Sequence, residues 1–207
     1  PKKNYAICID MQYNLERLAP FLGPQCAKVM HLVSSYPKFQ NEAEQKRLHD
    51  LEKRKGVTLP SNRTDPLTSN PDCADFIAGY GNTTVRRTYP YSRGKIIPIP
   101  VPAMETYNFP HDKNFSAARK CFLWFGGGGA ILKGLDLVVE TFAALPDLHL
   151  IIMGPASYEK EFAQLYAREL TLPNITQYGR PCINGKNEQN KVGDIYVHQI
   201  MERCGAV

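Results

Sequence analysis

The stretch from Cys121 to Gly154 constrains the fold most. It opens with an unbroken apolar run, Cys121-Phe122-Leu123-Trp124-Phe125, and continues through four consecutive glycines, Gly126 to Gly129. Leu135, Val138, Val139, Phe142 and Leu145 then recur at three- and four-residue steps. The run predicts a buried strand, the glycines a turn, and the spacing a helix over 134–145 with one apolar face. Pro146-Asp147 ends that helix, and 148–153 reads as a second strand closed by Gly154-Pro155. Phe162, Leu165, Tyr166 and Leu170 mark another helix, 174–178 a strand, and 192–203 a further helix. Strands alternating with helices at this spacing require a parallel sheet with right-handed crossovers. The second half of the chain is therefore expected to be half of a doubly wound α/β domain.

The first half has a less regular rhythm. The run 27–33 predicts a strand. A charged stretch from Asn41 to Lys55, with Leu48 and Leu51 at helical spacing, predicts a helix closed by Gly56 in the manner of a C-cap. Turn formers fill 60–72, whereas 74–80 and 95–100 predict two more strands. Pro98, Pro100, Pro102 and Pro110 break the pattern before the regular half begins. The expected organisation is a Rossmann-like domain portion over 1–100, a linker over 101–120 and a second Rossmann-like portion over 121–207.

Composition narrows the function classes modestly. The chain has 207 residues, 43% hydrophobic and 22% charged, with 25 Lys+Arg against 20 Asp+Glu for a net charge of +5. Disorder and fibrous repeats are excluded. A mildly basic surface suits phosphate-bearing ligands but does not by itself indicate nucleic acid, and none is expected as a partner. The six cysteines are scattered, without a C-x-x-C pair or zinc spacing, so reduced thiols and a cytoplasmic setting are expected, and no metal site. No apolar run approaches the ~20 residues that span a bilayer. The N-terminus, Pro1-Lys2-Lys3-Asn4, reads as a cut edge.

The glycine run carries the chemistry. Ligands bind at the carboxyl ends of parallel strands. Glycines let backbone approach a ligand closely, and a following helix favours an anion at its N-terminus. Lys133, at the end of the run Gly126-Gly127-Gly128-Gly129-Ala130-Ile131-Leu132-Lys133-Gly134, could lay an ammonium on the same phosphate. The dinucleotide fingerprint G-x-G-x-x-G fails, because Ile131 or Leu132 stands where the third glycine belongs. The mononucleotide loop fails too, since Lys133 precedes Gly134 and no Ser or Thr follows. A dehydrogenase and an NTPase are thereby disfavoured. The bland alternative is a tight turn with Lys133 facing solvent.

The run from Phe122 to Leu137, followed by Phe142 and 148–154, resembles the start of the C-terminal domain of group 1 glycosyltransferases. Lys95-Ile96-Ile97-Pro98-Ile99-Pro100 and Phe109-Pro110 resemble that family's interdomain segment, and 74–77 its last N-terminal core strand. The resemblance implies a GT-B fold, with two Rossmann-like domains facing a cleft. It also implies transfer of a hexosyl group from a UDP-, GDP- or ADP-sugar to a sugar, lipid or polysaccharide acceptor, with retention and without a further cofactor. It makes Lys133 the contact to the donor diphosphate. Gly126, Gly127, Gly128 and Gly129 would lie beneath phosphates and sugar with Gly154 nearby, and Arg180, Pro181 and Cys182 would lie at the nucleotide base. Gly128 stands near the place where many members carry arginine, and the family's glutamate pair has no counterpart before Val207. The isolated chain is accordingly expected to be inactive. A non-catalytic nucleotide-sugar- or phosphosugar-binding module and a nucleotide-sugar epimerase of the same fold are the alternatives.

Other signals are weaker. His31, His111, His149 and His198 read as structural or surface residues. The helix through Asn41–Lys55 mixes charges and predicts a solvated face with i,i+4 pairs; its functional alternative is docking on anionic lipid at the inner face of a membrane. Asn82 and Asn174 form glycosylation sequons that matter only outside the cytoplasm.

Overall fold

A computed structural model describes residues 4–11, 13–61, 64–67, 70–80, 83–89, 96–102, 111–179 and 200–205. The chain divides into two compact units, one formed by 1–45 and 63–106, the other by 46–62 and 107–207. The change of unit between 106 and 107 falls inside the proline-rich segment. The assignment of 46–62 to the second unit has no sequence signal of its own.

In the first unit, strands β1 (Ile7–Met11), β2 (Ala27–Leu32), β3 (Phe76–Tyr80) and β4 (Ile96–Ile99) form one parallel sheet in the order β1-β2-β3-β4. The strands are connected through α1 (Leu15–Leu18), the first part of α2 (Pro37–Lys55), the helical turn α3 (Asn70–Cys73) and α4 (Thr83–Thr88). Leu15, Met30, Leu32, Ile77 and Tyr89 form the core, with Val85 and Tyr36 against it. The Tyr89 hydroxyl donates to the Ser34 carbonyl at 2.8 Å. Sequential strand order combined with right-handed crossovers puts the connections on one face. Ile7, Ile9, Met11, Phe76 and Ile97 are exposed. β1 and α3 have no counterpart among the expected elements, and α3 lies partly within the expected loop 60–72.

In the second unit, after α5 (Phe115–Ala118), β5 (Cys121–Phe125), β6 (His149–Met153) and β7 (Ile175–Gln177) form a three-stranded parallel sheet in that order. α6 (Leu135–Ala144) connects the first pair, and a 3-10 turn (Pro155–Tyr158) with α7 (Lys160–Leu165) leads on from β6. Period-2 alternation sends Leu150, Ile152 and Ile175 to one face, against Leu135, Val139, Phe142, Phe162 and Tyr166. It sends Leu123, Ile151 and Met153 to the other, against Ile200 and Cys204. The molecule is thus α/β with two small parallel sheets, as expected. The helix expected over 162–170 stops at Leu165 and resumes only as a 3-10 turn at Glu169–Thr171. Of the helix expected over 192–203, residues 192–199 lie outside the described residues, and 200–203 are helical.

The charged helix departs most from expectation. It reaches Lys55, where Gly56 at φ +67° ends it with its N–H on the Glu52 carbonyl at 2.7 Å. Its second half is not a solvated face. Leu51 is fully buried in the second unit's core. Arg47 and Arg54 both bind Asp136, whose side chain is 0% exposed, Arg47 at 2.8 Å. Arg47 also donates to the Ile131 carbonyl at 2.9 and 3.1 Å. Arg54 and Lys55 reach Glu140 at 3.3 and 3.9 Å, and Lys55 reaches Glu169 at 3.5 Å. Arg47, Leu51 and Arg54 follow i, i+4, i+7 spacing, so one helical stripe delivers two cations and a leucine to α6.

Asn174 is likewise committed to structure. It is buried, and its side-chain amide donates to the carbonyls of Phe142, Leu145 and Leu148 at 2.9, 3.3 and 3.0 Å. A glycan on that nitrogen would take one of its two donor hydrogens and could not fit while the side chain stays buried. Asn82 lies outside the described residues.

Candidate functional site

At the carboxyl ends of β5 and β6 two loops meet through their backbones. The Gly126 N–H donates to the Met153 carbonyl at 3.1 Å, and the Gly154 N–H to the Gly179 carbonyl at 2.7 Å. A Cβ on Gly154 would fall 1.8 Å from the Gly126 carbonyl oxygen, and Gly154 has φ +139°. A Cβ on Gly126 would meet the Trp124 ring at 2.6 Å. Glycine is therefore required at Gly154 by contact and by conformation, whereas a side chain at Gly126 would have to displace the Trp124 ring.

The rest of the loop is arranged around two opposite charges. Glu159 accepts from the Gly129 N–H at 2.5 Å and from the Ala130 N–H at 3.2 Å, one carboxylate oxygen each. A pair of backbone amides aimed at one point is an anion-binding arrangement, and the protein's own carboxylate fills it. Lys133 approaches from another side: a Cβ on Gly127 would lie 3.1 Å from Lys133 Nζ. The ammonium is exposed and has no ion-pair partner among the described residues. Gly127 and Gly128 are exposed, and their N–H groups make no hydrogen bond among the described residues. The turn is fixed by the Lys133 N–H on the Gly129 carbonyl at 2.9 Å and the Leu135 N–H on the Ala130 carbonyl at 2.9 Å.

Gly126, Gly127, Gly128, Gly129, Lys133 and Gly154 are thus brought to one end of one sheet. Arg180, Pro181 and Cys182 lie outside the described residues. The helix dipole does not act where the sequence suggests. α6 begins at Leu135, after a turn over 130–134 and behind Gly134 at φ +76°, and its first turn already holds the buried carboxylate of Asp136. What this end of the sheet offers an anion is therefore loop amides and Lys133, not a helix N-terminus.

Sequence reasoning missed Glu159, which lies thirty residues from Gly129 along the chain. Only its position just beyond the second strand-end loop, Gly154-Pro155, hints at a place near the first. Ser157 in the same loop is 2% exposed, and its hydroxyl has no hydrogen-bond partner among the described residues. His31 packs edge-on against Tyr80 with ring centroids 4.8 Å apart, and His149 Nε2 lies 3.1 Å from the Thr176 hydroxyl. Both belong to sheets rather than to this loop. Among the described residues no group of three or more His, Cys, Asp or Glu could hold a metal ion, and no helix is long and apolar enough to cross a membrane.

Comparisons with protein-family models, with curated proteins and with solved structures find no match to this chain.

Proposed function

We propose that the second unit is the donor-binding part of a GT-B-type glycosyltransferase that takes a nucleotide sugar, acting on the cytoplasmic side. The observation carrying this reading is the placement of the Lys133 ammonium beside Gly127, at the carboxyl end of a parallel sheet. Because Gly129 and Ala130 already serve Glu159, the diphosphate on this reading lies against the N–H groups of Gly127 and Gly128, under Lys133.

The chemistry such a site supplies is electrostatic. Glycosyl transfer breaks the bond between the anomeric carbon and a diphosphate, through an oxocarbenium-like transition state comparable to that of glycoside hydrolysis. Charge grows on the leaving phosphate oxygen. An ammonium and two fixed N–H groups aimed there stabilise that state more than the ground state. Removing one such donor costs about 3–4 kcal/mol of barrier in enzymes studied by mutation.

A second reading, a binding module without catalysis, is favoured by the charge balance of the loop. Gly128 offers no cation, and Glu159 places a negative charge beside the leaving group's site. An epimerase is the third. Calorimetric titration of the chain with UDP-, GDP- and ADP-sugars, repeated on Lys133→Ala, tests the shared core of the first two. The expected result is binding of one nucleotide class, weakened at least about tenfold by the loss of a charge-assisted contact. Equal affinity in both proteins would remove Lys133 from the site. Product analysis with a bound donor then separates transfer, isomerisation and mere binding.

A further inference from the structure

A second chemically competent group lies at the opposite, amino-terminal end of the same sheet. Cys121 opens β5, and Cys204 follows the short helical segment that covers one face of the sheet. Their sulfurs are 3.3 Å apart although the residues are 83 positions apart in sequence. Both are free thiols. Their backbones are also joined, since the Gly205 N–H donates to the Cys121 carbonyl at 2.9 Å. A disulfide needs sulfurs about 2.05 Å apart, so closure asks for roughly 1.3 Å of approach between chains already in register.

The two thiols differ in access. Cys204 is fully buried, and Cys121 is half-buried and borders a cleft of about 500 Å³. That cleft is also lined by Asn114, Lys120, His149, Glu202 and Arg203. Its volume falls within the range of small-molecule sites. Among the described lining residues, Lys120 and Arg203 set two cations against the carboxylate of Glu202. Such a cleft accepts a small anionic molecule and presents it to one thiol of the pair only.

We propose that Cys121 and Cys204 are a redox-active dithiol that reacts with a small anionic disulfide of the glutathione type bound in this cleft. The Cys121 thiolate attacks one sulfur of the small disulfide. A mixed disulfide forms on Cys121, the original S–S bond breaks, and one small thiolate leaves. Cys204 then attacks Cys121 Sγ, forming the Cys121–Cys204 bond and releasing the second small thiolate. The two protons of the protein thiols end on the two released thiols. The protein loses two electrons, and the small disulfide gains them. Burial and the hydrogen bond with Cys121 push the Cys204 thiol up to about 12, so Cys204 is not the first nucleophile and gives up its proton only as the second bond forms. The product pins segment 200–205 to the start of β5. This assignment does not depend on the proposed function.

The test uses the whole reduced chain treated with oxidised glutathione, with thiols and cross-links mapped by peptide mass spectrometry. Cys121 and Cys204 should disappear together into one cross-linked peptide, about tenfold faster than thiol loss at Cys8, Cys26 or Cys73. Cys204→Ser should trap a stable glutathione adduct on Cys121. Cys121→Ser should leave Cys204 unmodified. A cross-link joining any other pair, adducts spread evenly over the cysteines, or an unmodified Cys121 would overturn the proposal. The map of the unaltered chain decides the matter even where a variant folds poorly.

Discussion

Glu159 holds Gly129 by a hydrogen bond from that residue's backbone N–H, and the same carboxylate takes the neighbouring N–H of Ala130. The loop that looks built for an external anion is thus shaped from within by an internal one. The bonds fix the first residues of the turn that ends at Lys133, which makes Glu159 a brace for the ammonium's position. Hydrogen bonds to a charged group contribute about 1.5–3 kcal/mol each at most, and Glu159 is only half-buried. Glu159→Ala is expected to destabilise the second unit by about 1–3 kcal/mol in all. It should also speed amide exchange at Gly129 and Ala130 selectively. Glu159→Gln, which keeps one acceptor, should fall between. Unchanged exchange at both amides would show that the bonds do not hold the loop.

Asp136 is the ionic centre of the second unit. Its buried carboxylate is matched by Arg47 and Arg54. Removing one partner of such a pair typically costs about 3–5 kcal/mol. Both arginines keep some contact with water, so Asp136→Asn should lie near the lower end, read as a reduced denaturation midpoint. Loss of less than about 1 kcal/mol would mean that the cluster contributes as little as a surface pair.

Two left-handed glycines separate contact from conformation. Gly56 has φ +67° with no atom within 4 Å of a would-be Cβ, whereas Gly154 combines φ +139° with a Cβ position 1.8 Å from a carbonyl oxygen. Gly56→Ala should cost only about 1–2 kcal/mol of backbone strain. Gly154→Ala should fail to give soluble, cooperatively folding protein. Similar melting temperatures for the two variants would contradict the close approach of the β5 and β6 loops.

Asp75 gives the first unit an acid dependence. Hydrogen bonds from the Lys28 backbone N–H and ammonium, at 2.8 and 3.0 Å, hold its carboxyl below the ordinary value of 3.8. A depressed carboxyl stabilises the fold above its unfolded value, and that contribution is lost as pH falls through the folded one. Between pH 5 and pH 2, roughly, the melting temperature of the unaltered chain should fall more steeply than that of Asp75→Asn. Parallel slopes would remove Asp75 from the acid response.

The β5–glycine–α6–β6 unit was legible because its apolar residues keep a strict period, first continuous and then at helical steps. β1 was not anticipated, although 5–9 is an unbroken apolar run like those of its neighbours; in the fold it is an edge strand whose Ile7, Ile9 and Met11 stay exposed, so that run does not mark a buried strand. The fate of the charged helix was not legible. Its mixed charges read as a solvated face, whereas Arg47, Leu51 and Arg54 form a stripe that packs. Nothing local names Asp136 as their partner, because an acidic residue in a helix's first turn already has a sufficient reason in the dipole. In the site, the glycines and Lys133 could be picked from sequence, since their spacing is local. Glu159 could not, because only the pairing of β5 with β6 brings it to the loop.

The most direct measurement is a crystal structure of the chain soaked with UDP or GDP. The expected result is a diphosphate within hydrogen-bonding distance of the Gly127 and Gly128 N–H groups and of Lys133 Nζ, with Glu159 still bound to Gly129 and Ala130. A loop left empty at saturating nucleotide, or a diphosphate bound elsewhere with Lys133 turned to solvent, would contradict the account.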